Sequence, residues 1–260
     1  IVYERMPSPA RKFLMAGRGG LNLTHSEPLA HLLARYGEPA DVIGSAVRAF
    51  PPDDLITWVK GLSIDIFTGS SGRVFPLSMK ASPLLRAWLK RLAALGVQLE
   101  TRRTWRGFDD QGRLLIELAD GSVEAVGADA VLLALGGASW PRLGSDGAWV
   151  STLQAQGVNV TPLQPSNWGV EIAWSDVFRT KFEGEPLKRI SISCGGVSQR
   201  GEAIITRRGL EGGAVYALGS PIRNALTSGK SVLSVDLRPD IDTLSLANRL
   251  ERAPVKESLA

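Results

Sequence analysis

The chain has 260 residues, 44% of them hydrophobic and 22% charged, and a formal net charge of +4, the usage of a globular chain that buries a core without covalent staples. One cysteine, Cys194, and two histidines, His25 and His31, exclude an intrachain disulfide, a redox-active dithiol, a cysteine-built zinc site and a histidine-rich metal centre. The basic residues are dispersed, which argues for a solvated surface and against a nucleic-acid footprint. No apolar run approaches the ~20 residues of a membrane span, and a cytoplasmic protein is expected.

Ile1-Val2-Tyr3, ended by Glu4, reads as a buried strand. The chain opens inside that strand with no initial methionine, so a truncated start is expected. A carboxylate at a strand end can accept hydrogen bonds from ribose hydroxyls, as on the second strand of dinucleotide-binding domains, or can simply be solvated. Pro7 and Pro9 break the backbone before the basic pair Arg11-Lys12. Gly17-Arg18-Gly19-Gly20 then leads into Leu21-Asn22-Leu23-Thr24-His25 as a loop. Glycines let backbone N–H groups approach an anion or a flat ring. Arg11, Lys12 and Arg18 would offset pyrophosphate charge. Leu21 and Leu23 flank Asn22 as though the loop were packed.

Ser26-Glu27-Pro28 starts a helix carrying Leu29, Leu32 and Leu33. Short helical patterns around Pro51-Pro52 follow, then strands at 64–67 and 73–76 about the turn Gly69-Ser70-Ser71-Gly72. Ser82 to Leu95 is the clearest helix, with Leu84, Leu85, Trp88, Leu89, Leu92 and Leu95 on one face and Gly96 placed to end it. The period then changes to 2. A strand at Val97 and Leu99 precedes a meander over 105–108, 114–118 and 123–126. Residues 128–135 are almost continuously apolar and are expected as a strand buried on both faces of a parallel sheet. That run ends in Gly136-Gly137, where small residues permit close ligand approach or merely turn the chain. Gly144-Ser145-Asp146-Gly147 precedes a helix over 148–156, and its Ser and Asp could serve as an N-cap. From about Val158 strand-like runs recur at 170–174, 190–193, 203–206 and 231–237, predicting a β-rich second domain, and Thr243 to Arg252 reads as a helix.

The order strand-Glu, basic glycine-rich loop, helices, meander, buried strand and Gly-Gly resembles the two-dinucleotide-binding flavoproteins related to glutathione reductase. At finer grain, three blocks carry a resemblance to the BaiN/YhiN-like (HI0933-like) bacterial flavoprotein family. The first is Glu4-Arg5-Met6 with the stretch from Arg11 to His25. The second is Gly72-Arg73-Val74-Phe75-Pro76 with Lys80-Ala81-Ser82. The third is Ala134-Leu135-Gly136-Gly137-Ala138-Ser139-Trp140-Pro141 with Gly144-Ser145-Asp146-Gly147. Their joint occurrence is far more specific than any one glycine motif.

The resemblance implies an α/β fold: a partial Rossmann-like FAD-binding domain of the glutathione-reductase type over 1–158, an inserted β-barrel-like domain over 159–240, and the start of a helical insert over 241–260. It implies FAD as cofactor, NAD(P)H as a possible electron donor, and oxidoreductase activity on a small-molecule substrate. Glu4 would bind ribose. Arg11, Lys12, Gly17, Arg18, Gly19, Gly20 and Asn22 would line the pyrophosphate and ring, and Gly136 and Gly137 would let the second strand approach the cofactor. His25 is the candidate proton-transfer group, with loop packing as the alternative. Lys80, Asn167 and Trp168 are further candidates for a cleft. The family's Gly-x-Gly-x-x-Gly turn is expected before Ile1 and its return to the FAD domain after Ala260, so the chain alone is expected to bind FAD weakly and to be inactive. The rival reading is a non-catalytic scaffold or partner-binding module derived from a flavoprotein.

Overall fold

The computed structural model describes residues 1–16, 20–36, 40–227, 229 and 232–252. They fall into two compact units, Ile1–Leu163 and Gln164–Ala260.

The first unit begins with β1 (Val2–Glu4), α1 (Arg11–Ala16), β2 (Thr24–His25), α2 (Leu29–Ala34), α3 (Ala40–Ala49) and α4 (Pro52–Lys60). It continues with β3 (Ile66–Thr68), β4 (Arg73–Pro76), α5 (Ala81–Ala94), β5 (Leu99–Thr101), β6 (Thr104–Phe108), β7 (Leu114–Glu117), β8 (Val123–Val126) and α6 (Trp149–Ala155). Pro52 at the first helical position has its φ set for α4, and Asp53 and Asp54 lie against the positive end of the helix dipole. The chain folds back after α5 through Gly96 at φ +80°. The helix α1 was not legible, because the prolines before it and glycines after it read as one loop.

Three small sheets result: β1 with β5 in parallel, β2-β4-β3 antiparallel, and the meander β6-β7-β8. Leu21, Val59, Leu62, Ala81 and Leu84 form a buried cluster under β2 and between α4 and α5. Burial of the predicted apolar stripe fades along α5: Leu84 and Leu85 are buried, Leu89 and Leu92 half-buried, and Leu95, just past the helix end, is exposed.

Two sequence expectations are corrected. Residues 128–135 form no strand. Leu132 among them is 91% exposed. An apolar run becomes a buried strand only where neighbours take its N–H and C=O groups and layers cover both faces. No described strand pairs with it. Likewise β1 is a strand but not a buried one. Ile1 and Val2 are exposed, because a two-stranded sheet offers cover on few sides.

The second unit holds β9 (Val170–Glu171), α7 (Asp176–Phe182), β10 (Pro186–Cys194), β11 (Val197–Thr206), β12 (Gly209–Glu211), α8 (Gly213–Ala217), α9 (Gly219–Thr227), β13 (Ser234–Asp236) and α10 (Thr243–Glu251). Its five strands make one antiparallel sheet in the order β13-β10-β11-β12-β9. The β10–β11 hairpin turns at Gly195-Gly196, both at positive φ, the pairing a two-residue turn needs to match strand twist. Ile190, Ile192 and Cys194 alternate inward from β10, Ala203 and Ile205 from β11, and Val215 of α8, Leu218 between the two helices and Ile222 of α9 cover them.

Three helices here, α7, α8 and α9, occupy the links between the expected strands. In α7, Ser175 caps the Phe178 N–H, and Trp174, Phe178 and Phe182 stack at 4.6 and 4.8 Å along one side. No described helix is long and apolar enough to cross a membrane.

Candidate functional site

In the first unit, the exit of β1 meets the loop that follows residue 135. Arg103 N donates to the Glu4 carbonyl (3.0 Å) and Arg102 N to the Met6 carbonyl (3.3 Å), so β1 leaves along the β5–β6 turn. Glu4 folds back, its Oε1 accepting from Met6 N at 2.7 Å. Arg5 donates to Asp146 Oδ2 at 2.7 Å and to the Gly144 carbonyl at 2.9 Å. From the first turns of α1, Lys12 Nζ donates to Ser139 Oγ at 2.7 Å. The first and third sequence blocks are therefore neighbours.

The loop itself is tightly bonded. Trp140 and Ser145 form a β-bridge, Gly147 N donates to the Gly137 carbonyl (3.1 Å), and Trp149 Nε1 donates to the Gly136 carbonyl (3.0 Å). Gly144 sits at φ +92°, and a Cβ there would lie 2.7 Å from Met6 Cγ, so the close approach of the two segments requires glycine. The Arg5 guanidinium first, then the Ala148 N–H, hold the Asp146 carboxyl below its ordinary range.

Ser145 is 6% exposed, and its Oγ has no hydrogen-bond partner among the described residues. Such an orphaned buried polar atom is unusual and asks for a partner. It lies beside Gly136, where a Cβ would stand 3.6 Å away. A Cβ on Gly137 would meet nothing within 4 Å.

Arg11 shares the first turn of α1 with Lys12. Gly17, Arg18 and Gly19 lie outside the described residues. Gly20, at φ +106°, packs against Met79 and Phe75, and Asn22 lines an apolar cavity that Phe13, the neighbour of Lys12 in α1, also borders. His25 is built into the β2–β4 edge. Its Nδ1 accepts from Glu27 N (3.1 Å), its Nε2 lies 2.9 Å from the Ser71 carbonyl, and its ring covers Gly72. Glu27 Oε1 also lies 3.6 Å from Nδ1. Lys80 precedes α5 in the first unit, and Asn167 and Trp168 belong to the second.

Sequence reasoning missed Arg5, Ser139, Ser145 and Trp149 as site residues. Ser145 and Asp146 stood out in the Gly-Ser-Asp-Gly motif, but as a helix cap. In fact Asp146 Oδ1 accepts from Ala148 N at 3.1 Å before α6, and nothing local marks Ser145 as buried.

Comparison with known proteins fits this architecture. Residues 1–211 match the HI0933-like protein Rossmann domain, and residues 164–259 match the HI0933-like protein barrel and H2TH domain. The chain is thus an α/β protein in which a barrel is inserted in a Rossmann part. It belongs to the HI0933-like family. A curated relative, the 3-dehydro-bile acid delta(4,6)-reductase of Clostridium scindens, is 24% identical over 248 residues, which is 93% of this chain and 58% of the relative. The chain therefore spans little more than half the length of that relative.

Proposed function

We propose that the whole protein is an FAD-dependent oxidoreductase of the glutathione-reductase type, moving a hydride between NADH or NADPH, the flavin and a small organic substrate. The observation that carries this reading is the junction of β1 and α1 with the 136–147 loop, where Lys12 meets Ser139 and the buried Ser145 Oγ, beside Gly136, has no partner among the described residues. The residues present fit such a cofactor. Glu4 has one carboxylate oxygen engaged by Met6 N, leaving the other for ribose hydroxyls. Arg11 and Lys12 offset pyrophosphate charge. Gly136 and Gly137 present backbone with no Cβ in the way, and Ser145 supplies a fixed hydroxyl. Bound flavin would supply reversible hydride acceptance, the protein orienting it and excluding water. The relative's name as a reductase supports the same class. In this reading residues 1–158 belong to the FAD-binding domain, 159–240 to the inserted β-rich domain and 241–260 to a helical insert.

The test is the visible spectrum of the purified full-length protein. A bound flavin spectrum, bleached by NADH or NADPH, is expected. A colourless protein that takes up no added FAD would overturn the reading and leave a non-catalytic scaffold in its place.

A further inference from the structure

Beside the buried cluster of the first unit lies a cavity of about 450 Å³. Phe13 of α1, Leu55 and Trp58 of α4, Trp88 of α5 and the Asn22-Leu23 segment contribute to its wall. Trp58 and Trp88 meet edge to face with ring centroids 5.2 Å apart. None of the nine lining residues is ionisable. Apart from the two indole N–H groups, the only polar side chain is the Asn22 carboxamide, which bonds to no described residue.

The cleft is floored by the buried Leu21 and Leu84 and opens to solvent at Asn22, Phe50 and Trp88, so it leaves apolar and aromatic surface uncovered beside the core, the mark of a ligand groove. Its volume, its aromatic lining and its single adaptable polar group match the usual make-up of a small-molecule pocket, ~300–1,000 Å³. A charged occupant would lose its hydration with no opposite charge to meet. Flat rings would lie against Phe13, Trp58 and Trp88 in the offset and edge-to-face arrangements that aromatic faces favour.

We infer that this cavity binds a neutral, flat, largely hydrocarbon molecule bearing one hydroxyl or carbonyl group, with the Asn22 carboxamide as its hydrogen-bond partner. No residue of the 136–147 loop takes part, but the family resemblance gives Asn22 to the cofactor, so 2-naphthol uptake that persists at saturating FAD separates this site from the flavin reading.

The test is equilibrium dialysis of the flavin-free chain against 2-naphthol, a neutral two-ring alcohol, and against naphthalene, its counterpart without the hydroxyl. One saturable site is expected for each. Asn22→Leu should weaken 2-naphthol about two- to tenfold, the worth of one net hydrogen bond, and leave naphthalene unchanged. Leu23→Trp and Leu55→Phe fill the cavity from different elements, and each should weaken both probes at least tenfold. Circular dichroism checks that each variant is folded, so one misfolded protein leaves the other to decide. Non-saturable uptake, or a site that survives a folded cavity-filling substitution, would overturn the inference. So would sedimentation showing a dimer that excludes both probes, which would assign the apolar wall to a second copy of the chain.

Discussion

Arg5 Nη1 donates to Asp146 Oδ2 at 2.7 Å across 141 residues of sequence, while its Nη2 holds the Gly144 carbonyl. One guanidinium thus clamps the end of β1 to the loop that carries Ser145. Both side chains are about one-third exposed, 34% and 33%, so solvent screens the pair and Arg5→Ala should cost only ~1 kcal/mol at pH 7. The pH dependence is the sharper signature. The Asp146 pKa is depressed in the fold. Its contribution is therefore fully present above the unfolded value of ~3.9 and is lost as pH falls through the lower folded value. Urea unfolding of the parent and Arg5→Ala should show a gap at pH 7 that narrows by pH 3. It should not vanish there, because the bond to the uncharged Gly144 carbonyl persists. A gap independent of pH would show that the carboxylate contributes nothing.

His25 has both ring nitrogens engaged by backbone groups, Glu27 N and the Ser71 carbonyl. A proton-transfer group needs a free nitrogen facing substrate. His25→Ala should lower stability by ~1 kcal/mol through these two bonds and leave turnover of the full-length protein unchanged. A fall in turnover at unchanged stability would restore His25 as a catalytic candidate.

In the second unit, Gly209 (φ +156°) closes the pairing of β12 with β9, and a Cβ there would sit 1.9 Å from the Val170 carbonyl oxygen and 2.9 Å from Ile172 N. Both obstacles are backbone, so neither can swing aside. Gly209→Ala should cost ~3 kcal/mol or more. Gly112→Ala, at φ +76° with nothing within 4 Å, should cost only the left-handed backbone, ~1–2 kcal/mol. Hydrogen exchange should locate the first effect in β9 and β12 and the second in the β6–β7 turn.

How much of this was legible in the sequence depends on the range of the interaction that makes each part. Elements fixed locally came through: α4 behind Pro51-Pro52, the β3–β4 hairpin, α5 with Gly96 and the meander each carry their own caps, turns and period. The run 128–135 misled because apolar content measures what a segment could bury, whereas a strand also needs partners for its hydrogen bonds. In the second unit, α8 and α9, of five and nine residues, are too short for a helical period to stand out and pass for links between strands. Of the candidate site, Lys12, Gly136 and Gly137 were legible because their composition is unusual. Arg5 and Ser145 were not, because their significance lies in contacts with distant or buried neighbours that spacing does not encode.

Lys12 offers a charge test of the cofactor reading. Its ammonium is exposed and held at 2.7 Å by Ser139 Oγ. Lys12→Ala should weaken FAD binding by the full-length protein about tenfold, the scale of one charge-assisted hydrogen bond. The loss should shrink as salt is raised. Ser139→Ala, which frees the ammonium without removing it, should weaken binding less. Equal losses from the two variants at every salt concentration would argue that the pair is structural.

Gly137 separates folding from cofactor binding most cleanly. Many glycines here are required by the chain itself: Gly144 by Met6, Gly209 by Val170. Gly137 has no such constraint. It is absent from the positive-φ residues, and a Cβ there would meet no atom within 4 Å. Its carbonyl accepts from Gly147 N, a bond that alanine retains. Gly137→Ala should therefore leave stability within ~0.5 kcal/mol of the parent, as at an unconstrained surface position. If the open space over Gly137 is where the cofactor approaches, the methyl group displaces it, and FAD affinity of the full-length protein should fall at least tenfold at unchanged melting temperature. Unchanged FAD affinity would mean that the cofactor does not pass over this glycine, and the junction around Lys12 and Ser145 would have to bind it from another side.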